Sequence, residues 1–130
     1  MGSDEYKTVW TSRSRDEKKR WGGETHIGTL NTITAKILHI HAGESTSLKY
    51  YKNKSEVLFI RKGKITVDYD SEKYHHQDPE QRKLKNQIVH EGEVLYVQSS
   101  CPYRITAIED SEIIEIGDSS NDKPVKIEEP

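Results

Sequence analysis

Six short stretches rich in β-branched and apolar residues leave this chain little room for anything but antiparallel β-structure. They are 32–41 (TITAKILHIH), 57–60 (VLFI), 64–69 (KITVDY), 94–97 (VLYV), 103–108 (YRITAI) and 112–116 (EIIEI). Each is four to ten residues long and is bounded by Gly, Pro, Asp, Asn or Ser, residues that terminate strands and form turns. No stretch sustains helical periodicity with caps. Regularly spaced short strands with turn signals between them predict a two-sheet sandwich or barrel.

The length of 130 residues fits one domain with one core. Hydrophobic and charged residues each make up 32% of the chain, so the core is expected to be small and the surface strongly solvated. A net charge of −2 argues against a dedicated nucleic-acid binder. The basic cluster Lys18-Lys19-Arg20 is offset by Asp16 and Glu17 beside it. No apolar run approaches the length of a membrane span, and no apolar segment follows the N-terminal charges as in a secretory signal. The single cysteine, Cys101, excludes an internal disulfide framework and suits a reducing compartment. A soluble, cytoplasmic protein without membrane or nucleic-acid partners is expected.

Three segments are anticipated: a polar lead-in over 1–20, a barrel over 21–118 and a polar tail over 119–130. Within the tail, PVKI at 124–127 could add an edge strand. Residues 70–90 are polar, contain Pro79 and the pair His75-His76, and read as one long hairpin connection.

Four places together resemble the cupin superfamily, and more narrowly its small single-domain members of the cupin-type mannose-6-phosphate isomerase kind. Arg20-Trp21-Gly22-Gly23-Glu24 is similar to a Pro-Trp-Gly-Gly-Glu motif of that group, with Arg20 in place of proline. KILHIHAGE at 36–44 resembles the strand leading into the first cupin motif. GESTSLKYYKNKSEVLFIRKG, from Gly43 to Gly63, keeps that motif's spacing of glycine, glutamate and glycine at Gly43, Glu56 and Gly63. Residues 91–115 resemble the second motif and the closing strand, although Gln98 and Ser100 replace its proline and glycine. The resemblance implies a cupin-type double-sheet jelly roll, all-β in class, and by analogy a homodimer.

It also implies a metal centre of three histidines and a glutamate, and here the chain departs from the family. By position those sites hold Lys49, Tyr51, Glu56 and Tyr103. A protonated lysine has no lone pair, and neutral tyrosine is a poor ligand for zinc, manganese or iron(II). One carboxylate does not hold a transition metal, so no metal and no cofactor are expected. His39 and His41 share one face of a strand whose other face carries Leu38 and Ile40, the expected core side, which directs both histidines toward solvent.

The replaced set still carries chemistry. Lys49 can meet a phosphate or carboxylate as a point charge. Tyr51, Glu56 and Tyr103 can bind sugar hydroxyls, or serve as acid (Tyr51 or Tyr103) and base (Glu56) in a metal-independent isomerase or epimerase. The expected partner is a small anionic sugar. Two alternatives stay open: a Lys49–Glu56 ion pair with Tyr51 and Tyr103 as core filling, and a non-enzymatic ligand-binding or assembly module. Cys101 is expected near the pocket mouth.

Overall fold

The computed structural model describes residues 8–118 and 122–128. These form strands β1 (Arg15–Lys19), β2 (Gly22–Leu30), β3 (Ile33–Ile40), β4 (Leu48–Tyr50), β5 (Glu56–Lys62) and β6 (Lys64–Tyr69). They continue with β7 (Lys85–His90), β8 (Val94–Val97), β9 (Tyr103–Ala107), β10 (Ser111–Gly117) and β11 (Val125–Glu128). Two sheets face each other, ordered β1-β2-β3-β10-β5-β8 and β11-β4-β9-β6-β7. Every pairing between these strands is antiparallel, and the architecture is a double-sheet jelly roll.

The core follows from the two-residue period of the strands. Leu58 and Ile60 of β5, Ile65 and Val67 of β6, Ile105 of β9 and Ile113 of β10 point inward and are almost completely buried. Each such aliphatic side chain contributes about 1.5–3 kcal/mol relative to an exposed one. Leu38 and Ile40 take the inner face of β3 as expected, while His39 is half-buried and His41 exposed. Gly63 joins β5 to β6 with φ +93°, and a Cβ there would lie 2.5 Å from the Asp110 carbonyl oxygen. Only glycine suits that corner.

Two stretches differ from the sequence expectation. The polar lead-in contains β1, whose residues pair in register with β2 from Arg15↔His26 to Lys19↔Gly22. A highly charged strand is tolerated because it is a sheet edge, where charges discourage further pairing. Residues 70–90 are not one unstructured connection: they hold two short 3-10 turns, Glu72–His76 and Pro79–Gln81, and then β7, which pairs along all of β6. Mostly exposed, β7 buries Val89 alone, so its apolar signal is weak. The tail does add an edge strand, β11, against β4. Among the described residues no helix is long and apolar enough to cross a membrane.

Candidate functional site: an ionic network inside the barrel

The inner faces that carry the aliphatic core also carry charge. On β5 the burial alternates so that Glu56 shares a face with Leu58 and Ile60. On β10 the inward set is Ser111, Ile113, Glu115 and Gly117. On β3 Lys36 has the parity of Leu38 and Ile40, and it lies opposite Glu115 in the β3–β10 register. Lys54 arrives from the β4–β5 connection, where the Asp122 carboxylate accepts hydrogen bonds from the Asn53 and Lys54 backbone N–H groups at 2.9 and 3.2 Å. Its aliphatic stem lies over Gly117, where a Cβ would sit 2.3 Å from Lys54 Cε.

The four positions anticipated from sequence do converge. Lys49 and Tyr103 face each other across the β4–β9 pair, with Lys49 Nζ 4.7 Å from the Tyr103 ring centre in a cation–π contact. Tyr103 donates its hydroxyl to Glu56 Oε1 at 2.6 Å. Tyr51 meets the network through Lys54, whose Nζ lies 4.6 Å from its ring centre. The suggested Lys49–Glu56 ion pair does not form. Lys54 takes that place, 3.4 Å from Glu56 Oε2 and 3.2 Å from Glu115 Oε2. Lys36 completes the chain of contacts, 2.9 Å from Glu24 Oε2 and 3.8 Å from Glu115 Oε2.

Burial and neighbouring charge set the protonation of this cluster. Burial, then the Glu115 charge, raises the pKa of Glu56 to about 7 against the opposing pull of Lys54 and the Tyr103 hydroxyl. Glu56 Oε2 is buried without a hydrogen bond to any described group. Burial pushes Glu115 the same way, but Lys36 and Lys54 outweigh it and its pKa falls. Lys36 rises because Glu115 and Glu24 overcome desolvation. Burial raises both phenols, Tyr51 and Tyr103, and the Glu56 charge adds to it, so both stay neutral.

The raised Glu56 pKa has a measurable consequence. Between the unfolded value of 4.5 and the folded value of about 7 the native state binds more proton than the unfolded chain. Stability therefore falls as pH rises through that window. Chemical denaturation from pH 5 to pH 8 is expected to show this decline, and Glu56→Gln to remove most of it. An equal decline in that variant would assign the effect to other groups.

A cavity of about 290 Å³ opens over this network, between the β1–β3 side of one sheet and β4 and β11 of the other. Lys19, Lys36, Lys49 and Lys126 line it together with Glu24, Glu115, Trp21, Tyr51 and the hydroxyl residues Thr46 and Ser47. Glu56 and Tyr103 do not line it. They lie behind Lys49 and Glu115, and Tyr103 instead borders a second cavity of about 410 Å³ together with Cys101, Asp70, Glu72 and Lys85. Cys101 is thus at that second opening, half-buried, with burial pushing its thiol pKa up.

The donor set does not suit the metal that the fold family implies. Tyr103 commits its proton to Glu56, Tyr51 stays protonated, and Lys54 already occupies the carboxylates. A second cluster, Glu17, Glu24 and His26, brings its ligand atoms within 4.8 Å of one another. Lys19 is 2.8 Å from Glu17 and Lys36 is 2.9 Å from Glu24, so ammonium groups already balance these carboxylates.

No family model and no curated protein matches the chain. Solved structures do. KdgF from Halomonas sp. aligns at TM-score 0.67 and 9% identity, over 85% of this chain and 90% of that one. The capsular polysaccharide assembling protein CapF from Staphylococcus aureus aligns at TM-score 0.69 and 14% identity, over 91% of this chain and 35% of CapF. Oxalate decarboxylase of Bacillus subtilis, which has Mn(II) centres, aligns at TM-score 0.68 and 18% identity, over 89% of this chain and 31% of the enzyme. The chain spans nearly all of KdgF and about a third of the other two. At these identities the likeness establishes the fold, that of cupin-type proteins, and says nothing of the reaction.

Lys36, Lys54, Glu24 and Glu115 were not anticipated as site residues. For Lys36 and Glu115 the signal was present, since each shares inward parity with an aliphatic core residue on its own strand.

Proposed function

We propose that this protein binds a small anionic sugar, a sugar phosphate or nucleotide sugar, in the lysine-lined cavity without a metal. The carrying observation is the cavity's charge and shape. Four lysines and two glutamates line it, with the Trp21 ring and the Thr46 and Ser47 hydroxyls beside them. Lysines at the rim meet a phosphate as point charges. An aromatic ring with nearby hydroxyls suits a sugar's apolar face and its hydroxyl groups. The sequence resemblance to mannose-6-phosphate isomerases and the fold likeness to CapF, a capsular polysaccharide assembling protein, support a role in carbohydrate metabolism.

A thermal-shift series tests this reading with mannose 6-phosphate, a nucleotide sugar, inorganic phosphate and unphosphorylated mannose. A phosphorylated sugar at 100 times its Kd stabilises the fold by about 2.7 kcal/mol. Lys19→Met combined with Lys126→Met is expected to abolish most of that shift. Equal shifts from inorganic phosphate and the sugar phosphates would reduce the site to a phosphate binder, and no shift from any of them would leave the barrel a scaffold.

One observation favours turnover as well. The Glu56 pKa is raised to about 7, its carboxylate accepts the Tyr103 hydroxyl, and Lys54 links it to Glu115 on the cavity wall, an arrangement suited to moving a proton to and from a bound sugar. In an isomerase of the metal-dependent kind a metal polarises the substrate carbonyl. Here the Glu56 carboxyl, protonated up to about pH 7, would supply the acid. Solvent deuterium entering the sugar phosphate, and lost in Glu56→Gln with the fold intact, identifies that activity.

A further inference from the structure

Three lysines reach into the barrel, and two of them are saturated. Lys36 contacts Glu24 and Glu115, and Lys54 contacts Glu115 and Glu56. Lys49 makes no ion pair among the described residues. Its Nζ rests on the face of Tyr103, whose own hydroxyl is committed to Glu56, and the side chain borders the cavity. A purely electrostatic anchor for an anion gains nothing from such enclosure. An amine that must present its lone pair to a bound molecule gains from having no carboxylate clamped to it.

We propose that Lys49 captures the carbonyl carbon of an open-chain phosphorylated aldehyde or ketone as an imine. The inference rests on the anionic-sugar reading for its ligand, and it assigns the two ends. The phosphate lies toward Lys19 and the exposed Lys126 at the rim, and the carbonyl lies at Lys49.

The step balances without oxidant or reductant. The Lys49 nitrogen lone pair forms the C–N bond as the carbonyl π electrons move to oxygen. That oxygen takes a proton and the nitrogen releases one, giving a carbinolamine. The C–O bond then breaks, the oxygen leaves as water after taking a second proton, and the nitrogen electrons complete the C=N bond. Glu115 borders the same cavity, and Lys54 lies between it and Glu56, 3.2 Å from the one and 3.4 Å from the other, so carboxyl groups that can exchange a proton stand beside the leaving oxygen. Burial lowers the pKa of Lys49, a direction opposed by Glu56 and Glu115 and aided by the Lys36 charge, which raises the share of free amine near neutral pH.

Reductive trapping tests this on the native chain. The protein is incubated with glycolaldehyde phosphate and sodium cyanoborohydride, and the adducts are mapped by peptide mass spectrometry. Lys52, exposed in the same β4–β5 connection, is the internal reference. Lys49 is expected to be modified about tenfold faster than Lys52, glycerol phosphate to slow it by competition, and Lys49→Arg to abolish the fast adduct.

Equal rates at Lys49 and Lys52 overturn the proposal. Glycerol phosphate, which has no carbonyl, separates the two readings by thermal shift. A shift without fast Lys49 modification leaves anion binding standing and removes the imine. Fast Lys49 modification without a shift removes the anion reading and the placing of a phosphate at Lys19 and Lys126, and keeps only imine formation at Lys49. Neither result removes both.

Discussion

Glu115→Ala is expected to cost about 3–5 kcal/mol of unfolding free energy, the loss typical when one member of a buried ion network is deleted. Glu115 is 3% exposed, touches Lys54 at 3.2 Å and lies 3.8 Å from Lys36. Removing it leaves two ammonium groups in the barrel with only Glu24 and Glu56 to answer them. Part of the upward push on the Glu56 pKa comes from the Glu115 charge and leaves with it, so Glu56 ionises more readily in the variant and offsets a fraction of the loss. Urea titration at pH 7 reads the loss as a lower midpoint at unchanged slope. The double variant Glu115→Leu with Lys54→Met is expected to recover much of it, since an apolar pair of similar volume needs no compensation. A loss below about 1 kcal/mol for Glu115→Ala would mean that the interior is well hydrated and the network contributes little.

Gly22→Ala is expected to destabilise by about 3 kcal/mol or more, combining backbone strain with a steric overlap that cannot relax locally. Gly22 adopts φ +149° and pairs with Ile40, so that a Cβ would lie 1.9 Å from the His39 carbonyl oxygen. That oxygen belongs to the backbone of β3, one of the strands that carry the cavity wall, and moving it would displace Lys36 and Leu38. Trp21 would move as well, since its carbonyl accepts the His41 N–H at 3.0 Å. Gly28→Ala on the same strand is the control. Nothing lies within 4 Å of a Cβ there, and a change within about 0.5 kcal/mol is expected. Similar losses at both glycines would place the cost in the general propensity of β2 and not in the close approach.

The legibility of the site followed motif position and strand parity. Lys49, Tyr51, Glu56 and Tyr103 could be named because the resemblance to the cupin motifs carries the family's ligand positions onto them, and the structure gathers them around Glu56, Tyr103 and Lys54. Parity also held the clue to Lys36 and Glu115. Lys36 is two residues from Leu38, and Glu115 two residues from Ile113, so the assignment that buried the aliphatic residues buried these charges too. A charged residue at a core parity looks like an exception to the pattern until its partner is found, and here the partners sit on neighbouring strands. β1 and β7 were hidden for the opposite reason: as edge strands with largely exposed side chains, they carry almost no apolar alternation.

By itself the sequence determined the all-β class, the inner face of β3, and the loss of the histidine set. Those properties reside in residue type and a two-residue period, which are local. Only the tertiary structure decided which lysine pairs with which glutamate. Lys54 comes from a connection with no periodicity to read, and its reach to Glu56 and Glu115 depends on the gap over Gly117 and on Asp122 anchoring the loop. With Lys54 in that place, Lys49 is left on the Tyr103 ring without a carboxylate. A charge–charge interaction varies as the inverse of distance and is stronger in a protein interior than in water, so the character of each amine rests on distances that strand packing alone sets.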